Sequence, residues 1–345
     1  MRRRPSGTSS PGTPRRFVWW AVRVLAVGVV GWLFLVLVRG IDWSAVGFAL
    51  THLSGWQYLL LLLLACARLA VLAGPLTLLI AGLPYHRSLM NEAAGAAVAT
   101  IAPDPSDVVV RLAMFKSWRV ETTAATSGLA LRTILFYVIR LAAPVLGLAV
   151  LWAVHGLDTA FVWFAVLSFL AAAVLLGGLL FALRAASTAA VVGRLIGTVV
   201  GRVRPSAGGP EVWTDRLVQF QAHSATTMRR RGAAAGLNLL GYAVVEAIVL
   251  VCCMAFVGVR LDLATAVLIG CGFLLVYPMS GLPMMGLGVL DAALITFVTE
   301  HTAVESTYLV AGMVVWRVAA QLFPVVAGLL TLAWWRRSDR VTAGS

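Results

Sequence analysis

The hydrophobic positions of this chain do not alternate with polar ones. They run in blocks long enough to cross a bilayer, and two of the blocks are broken in the middle. Uninterrupted runs of about 20 apolar residues predict transmembrane helices, here near 17–38, 56–82, 126–153, 159–183, 232–257 and 306–335. The remaining blocks, 88–118 and 263–300, are interrupted. The first stops at Ile101-Ala102-Pro103-Asp104-Pro105 and resumes as a short segment through Arg111. The second runs from Ala264 to Pro278, breaks across Ser280-Gly281-Leu282-Pro283 and resumes after Gly286-Leu287-Gly288. Irregular backbone at membrane depth must line a cavity or be buried in protein. The pattern predicts an all-α polytopic membrane protein with about six full transmembrane helices and two re-entrant broken helices.

Composition agrees. Of 345 residues, 61% are hydrophobic and 12% charged, against about 25% charged in soluble domains. The net charge of +13 comes from 27 basic and 14 acidic residues, and Lys116 is the only lysine. In a soluble chain such a balance points to nucleic acid, but here the arginines flank apolar spans, where they set topology. With the N-terminus inside, 20 basic residues fall inside and only Arg39 and Arg260 outside. Both termini are therefore expected in the cytoplasm, and the arginine-rich composition suggests a bacterial cytoplasmic membrane. The two halves, about 17–153 and 159–335, then repeat one order of elements with opposite orientation. This is a 3+3 inverted-topology repeat, in which paired broken helices mark the substrate site.

Residues 1–16, rich in Arg, Ser, Pro and Gly, read as a disordered basic tail, and 17–336 as the transmembrane domain. The segment 184–231 is expected as a cytoplasmic loop holding an amphipathic stretch (187–200) and a polar helix (211–231). Residues 337–345 are expected as a cytoplasmic tail. Cys66, Cys252, Cys253 and Cys271 sit in apolar segments without metal-ligand spacing. No cofactor or metal is implied.

Ionisable groups inside spans are costly and usually face a cavity or a partner. Asn238, Tyr242 and Glu246 recur every four residues and place a polar stripe on one helix face. Arg132 and Arg140, eight apart, share a face of the third span. Arg68 and Arg317 are further interior cations. These arginines suit a phosphate headgroup, which a guanidinium grips with two parallel hydrogen bonds, or they pair with Glu92, Glu246 and Asp291. Pro103, Asp104 and Asp107 mark the first break, where Ser106 or Asp107 can cap the resumed helix. Pro283, Gly286, Gly288 and Asp291 mark the second. The candidate substrate-binding set is Arg111, Arg132, Arg140, Glu246 and Arg317.

Four stretches resemble the transmembrane, flippase-like domain of lysylphosphatidylglycerol synthases: Asp42-Trp43 before a long apolar span; TIAPDPSDVVVRLAMFK, with Pro103 and Arg111; GLPMMGLGVLD, with Pro283, Gly286, Gly288 and Asp291; and WRVAAQLFPVVAGLL, with Arg317, Pro324 and Gly328. The likeness covers roughly 25–336. It departs at Ser106, where the family more often has Gly, at Met284-Met285, where it more often has Gly-Gly, and at Asp291, where it more often has Glu. The resemblance implies a free-standing member without the aminoacyl-transferase domain, so no enzyme activity is expected. It implies a protein that translocates or binds phospholipids or lipid-linked sugars, with anionic membrane lipids as partners and no nucleic acid. Two other readings are a non-catalytic membrane partner of a cell-envelope glycosyltransferase, and an intramembrane lipid transferase using Asp104 and Asp107.

Overall fold

The computed structural model describes residues 51, 53–101, 106–155, 159–184, 186–203 and 209–343. The expected tail 1–16, the span 17–38, and Pro103 and Asp104 lie outside the described residues. The described residues are mostly helical, without strands among them. The helices are α1 (Gly55–Leu79), α2 (Tyr85–Ile101), α3 (Ser106–Ser117), α4 (Thr122–His155), α5 (Thr159–Arg184), α6 (Ala186–Val203), α7 (Pro210–Phe256) and α8 (Leu263–Val276). A 3-10 turn (Tyr277–Gly281) and a one-turn helix (Pro283–Gly286) separate α8 from α9 (Val289–His301). The chain ends with α10 (Ser306–Arg317), a π-helical segment (Val318–Leu322) and α11 (Phe323–Ala343).

Six of the described helical stretches are long and apolar enough to cross a membrane: Gly55–Leu79, Thr122–Ala153, Val162–Arg184, Pro210–Phe256, Leu263–Gly281 and Ser306–Arg337. Five coincide with expected spans. The sixth, Leu263–Gly281, was expected as the entering arm of a re-entrant segment; with its 3-10 turn it is long enough to reach across. The 13 residues of α9 rise only about 20 Å, short of the roughly 30 Å hydrocarbon layer.

Two expectations change. The polar stretch 211–231 and the span 232–257, read as separate elements, are one 47-residue helix, α7. At 1.5 Å per residue it is about 70 Å long, so its first half extends well past the apolar span. Nothing in Arg229-Arg230-Arg231-Gly232 breaks a helix, and α6 packs alongside with Gly193 against the backbone of Thr214. The loop 184–231 is therefore largely a helical hairpin. The tail from 337 also continues as helix to Ala343.

The entering arm of each broken segment packs on a helix from the other end of the chain, α2 on α11 and α8 on α4. Gly328 of α11 lies directly on the Ala93 carbonyl of α2, and Gly147 of α4 on the Cys271 carbonyl of α8. A side chain at either position would hold the helices apart. α1 and α7 also pack on each other. The largest buried apolar cluster, including Phe273, Trp316 and Leu250, joins α7 through α10. A smaller one, including Ile80 and Phe115, seats α3 beneath the end of α1.

Candidate functional site

The first break is fastened by charge. Glu92 of α2 is wholly buried; its Oε2 accepts from Arg132 Nη2 at 2.8 Å and forms an ion pair with Arg111 Nη2 at 3.0 Å. Arg111 reaches back from α3. Its Nη1 donates to Asn91 Oδ1 (3.3 Å), its Nε to Asp107 Oδ2 (3.3 Å), and its carbonyl accepts from Asn91 Nδ2 (3.1 Å). Its guanidinium lies against Gly95, where a side chain would occupy the same space. Arg111 therefore staples the half-helix after the break to the one before it, while Arg132 ties both to α4. Glu92 Oε1 and Arg132 Nε are buried without a hydrogen-bond partner.

The second break is fastened the same way. Arg317, the last residue of α10, donates from Nη2 to both Asp291 oxygens (2.8 and 2.9 Å) and from Nε to Oδ1 (3.1 Å). Its Nη1 reaches the Met285 carbonyl at 3.4 Å. Asp291 also accepts from the Gly288 N–H at 2.8 Å, capping α9. The capping and ion-pairing roles expected of Asp291 are thus held by one carboxylate. Arg132 is the eleventh residue of α4 and Arg317 the twelfth of α10, so each broken segment is tied to the helix that follows it at a similar distance from that helix's start. The π-helical segment begins directly after Arg317; such insertions recur at functional positions.

Glu246 sits elsewhere. It is buried, 2.5 Å from Arg68 Nε and 2.6 Å from the Tyr242 hydroxyl, at the α1–α7 contact. The stripe Asn238, Tyr242, Glu246 faces α1: Asn238 lies against Gly74, and the Arg68 guanidinium is 5.4 Å from the Tyr242 ring centre. Glu246 Oε2 and Asn238 Oδ1 are buried without partners.

Arg140 differs from all of these. Its guanidinium carbon is 4.5 Å from the Phe136 ring centre, 5.5 Å from that of Tyr137 and 5.7 Å from that of Tyr277. It lies against Gly281, at the end of the 3-10 turn that forms the second break. Among the described residues no carboxylate pairs with it, and its Nε is buried without an acceptor. Phe136 lies between Arg140 and Arg132, 5.1 Å from the latter's guanidinium carbon, and its ring is 6.0 Å from that of Tyr242. One network of arginines, carboxylates and rings therefore runs from the first break through α4 to the second, with a branch to Glu246.

Of the residues expected from sequence, the structure brings Arg111, Arg132 and Asp107 together at one break, and Arg317, Asp291, Gly286 and Gly288 at the other. Arg140 joins the second break from the opposite half. Gly286 (φ +65°) and Gly288 (φ +81°) both take the left-handed backbone that favours glycine. Sequence reasoning did not single out Asn91, Phe136, Tyr137 and Tyr277. Phe136 had a signal, four residues from each of two arginines on one helix face. No group of three or more metal-ligating side chains occurs among the described residues. The family model for the lysylphosphatidylglycerol synthase transmembrane region matches residues 23–328. No curated protein matches, and no solved structure does.

Proposed function

The chain belongs to the lysylphosphatidylglycerol synthase transmembrane-region family, and from that premise we propose that it binds and translocates the phosphate-bearing headgroup of a lipid or lipid-linked sugar. The observation that carries this reading is the interior network. It runs from the first break through α4 to the 3-10 turn of the second and holds four arginines (Arg68, Arg111, Arg132, Arg140) against three carboxylates (Glu92, Asp107, Glu246), with the separate Arg317–Asp291 pair fastening the rest of the second break. Charges at membrane depth are retained where they meet a substrate or each other, and among the described residues one cation exceeds the pairing.

In this reading the halves form an inverted repeat in a cytoplasmic membrane with both termini inside, and the breaks face opposite leaflets. The crossed packing of α2 on α11 and of α8 on α4 supports it, since rocking one half against the other then moves both breaks together. The test is reconstitution into vesicles with fluorescent anionic, zwitterionic and isoprenoid-phosphate lipids, reading exchange between leaflets. Faster exchange of at least one class with protein is expected. Equal rates with and without protein in every class overturn the reading.

One feature favours a second reading, a non-transporting partner of a cell-envelope glycosyltransferase. The α6–α7 hairpin extends beyond the apolar span and carries exposed Arg194, Arg216, Arg229, Arg230 and Arg231, a platform suited to an acidic partner surface. Stable co-purification with such an enzyme, lost on reversing Arg229–Arg231 to Glu, supports it. Purification alone from cells expressing the enzyme refutes it.

A further inference from the structure

We propose that Arg140, Tyr137, Tyr277 and the backbone at Gly281 form a binding site for one phosphoryl group bearing a single negative charge, a phosphodiester rather than a diphosphate. The inference rests on the proposed function and names the substrate class and the residue that receives it.

Charge comes first. Arg68 is matched by Glu246, Arg317 by Asp291, and Arg111 with Arg132 by Glu92 and Asp107. Among the described residues Arg140 is left over, so the network they form accepts one negative charge before it becomes anionic. Arg132, the next cation along α4, is two helical turns away, about 12 Å, and already grips Glu92. A diphosphate would place its second charge where no unpaired guanidinium waits.

Geometry comes second. The three rings flank the Arg140 guanidinium without neutralising it, and its buried Nε–H lacks an acceptor. A phosphoryl oxygen drawn to that edge makes a hydrogen bond that is missing now, and the planar fork suits two oxygens at once. A Cβ on Gly281 would stand 3.2 Å from Nη1, so the bare backbone keeps this approach open. Tyr137, Gly281 and Leu282 are exposed, so a headgroup reaches the guanidinium from outside the bundle, over the rim of the second break.

The experiment titrates purified full-length protein with phosphatidylglycerol, with an isoprenoid diphosphate, and with glycerophosphoglycerol, the same phosphodiester without acyl chains. Bound ligand is counted by native mass spectrometry. The variants are Arg140→Gln, Arg140→Lys and Gly281→Val, each with its melting temperature. Wild type is expected to hold phosphatidylglycerol at one copy, and Arg140→Gln to lose affinity about tenfold or more, as for a lost charge-assisted hydrogen bond. Gly281→Val, which keeps the charge but crowds it, should lose as much, and Arg140→Lys less. Equal displacement by glycerophosphoglycerol supports the site and assigns it to a soluble phosphodiester. Tighter binding of the diphosphate by wild type, or unchanged affinity in Arg140→Gln and Gly281→Val, overturns the proposal. Intact, Arg140-dependent binding without leaflet exchange refutes translocation and leaves the site standing. Exchange that persists unchanged in both variants refutes the site and leaves translocation standing.

Discussion

Arg132 and Arg140 share one aromatic ring. They lie two turns apart on α4, and the Phe136 ring between them is 5.1 Å from one guanidinium carbon and 4.5 Å from the other. The ring screens two like charges and attracts both through its faces. Phe136→Leu keeps the apolar volume and removes the quadrupole, so two contacts worth about 0.5–2 kcal/mol each should be lost. A lower melting temperature in detergent is expected, with Phe136→Tyr close to wild type. Equal melting of all three proteins sinks the idea that the ring holds the arginines.

Glu92 is the most consequential carboxylate in the first break, since it holds two arginines at once with no exposure to solvent. Glu92→Gln leaves Arg111 and Arg132 facing each other across a neutral amide. Breaking a buried pair this way costs about 3–5 kcal/mol. Asp107 is partly exposed and 3.3 Å from Arg111, so Asp107→Asn should cost under about 1 kcal/mol. Thermal unfolding of the two variants side by side checks the ranking.

The Arg68–Glu246 pair distinguishes a structural carboxylate from a substrate ligand. Removing Glu246 alone, as Glu246→Leu, strands a buried cation and should destabilise strongly. Removing both, as Arg68→Met with Glu246→Leu, should recover most of the loss, because two desolvated charges leave together. Lipid retention by the double variant should then match wild type. Recovery of melting temperature without recovery of lipid binding would mean that Glu246 or Arg68 meets the substrate.

Much of this arrangement is legible from spacing. Asn238, Tyr242 and Glu246 fall every four residues, so their shared face follows from helix geometry alone, and the proline–glycine punctuation at 278–288 marks the second break. Pairing is not legible: Glu92 and Arg132 are 40 residues apart, and Arg68 and Glu246 are 178 apart. Which arginine stays unpaired depends on packing that no local pattern encodes. The continuity of α7 is obscured because its polar and apolar halves differ in composition, although Gly232, at a cost of about 1 kcal/mol between Arg231 and Ala233, does not break it. Met285 is instructive in another way. It holds φ +56°, a conformation costing roughly 1–2 kcal/mol for a residue with a Cβ, at a position where the resembling family more often has Gly. The Arg317 contact to its carbonyl helps to hold it there.

Two glycines of the second break should respond differently to alanine. Both have positive φ, so each variant incurs backbone strain of about 1 kcal/mol or more. A Cβ at Gly286 would also strike the Met279 carbonyl, whereas at Gly288 nothing lies within 4 Å. Gly286→Ala should therefore lower the melting temperature well beyond Gly288→Ala. Indistinguishable melting would mean that the turn relaxes away from Met279 at little cost.

Arg317 should not tolerate lysine. Its guanidinium makes three bonds to Asp291 from two nitrogens and reaches the Met285 carbonyl with a third. Lysine supplies a point charge that can sit on one carboxylate oxygen but cannot span both and the carbonyl. Charge is conserved in Arg317→Lys, so long-range electrostatics stay constant and only the fork is lost. The expected cost is about 1–3 kcal/mol, the range for hydrogen bonds to charged groups. The effect should be local, because the Arg68 and Glu92 pairs do not depend on it. Hydrogen exchange of the bilayer-embedded protein should rise at 285–291, where the Asp291 cap on Gly288 loosens, and stay unchanged in α2 and α3. Exchange that rises equally at both breaks would instead mean that the two are coupled through α4, and that Arg132 and Arg317 act on one conformational equilibrium.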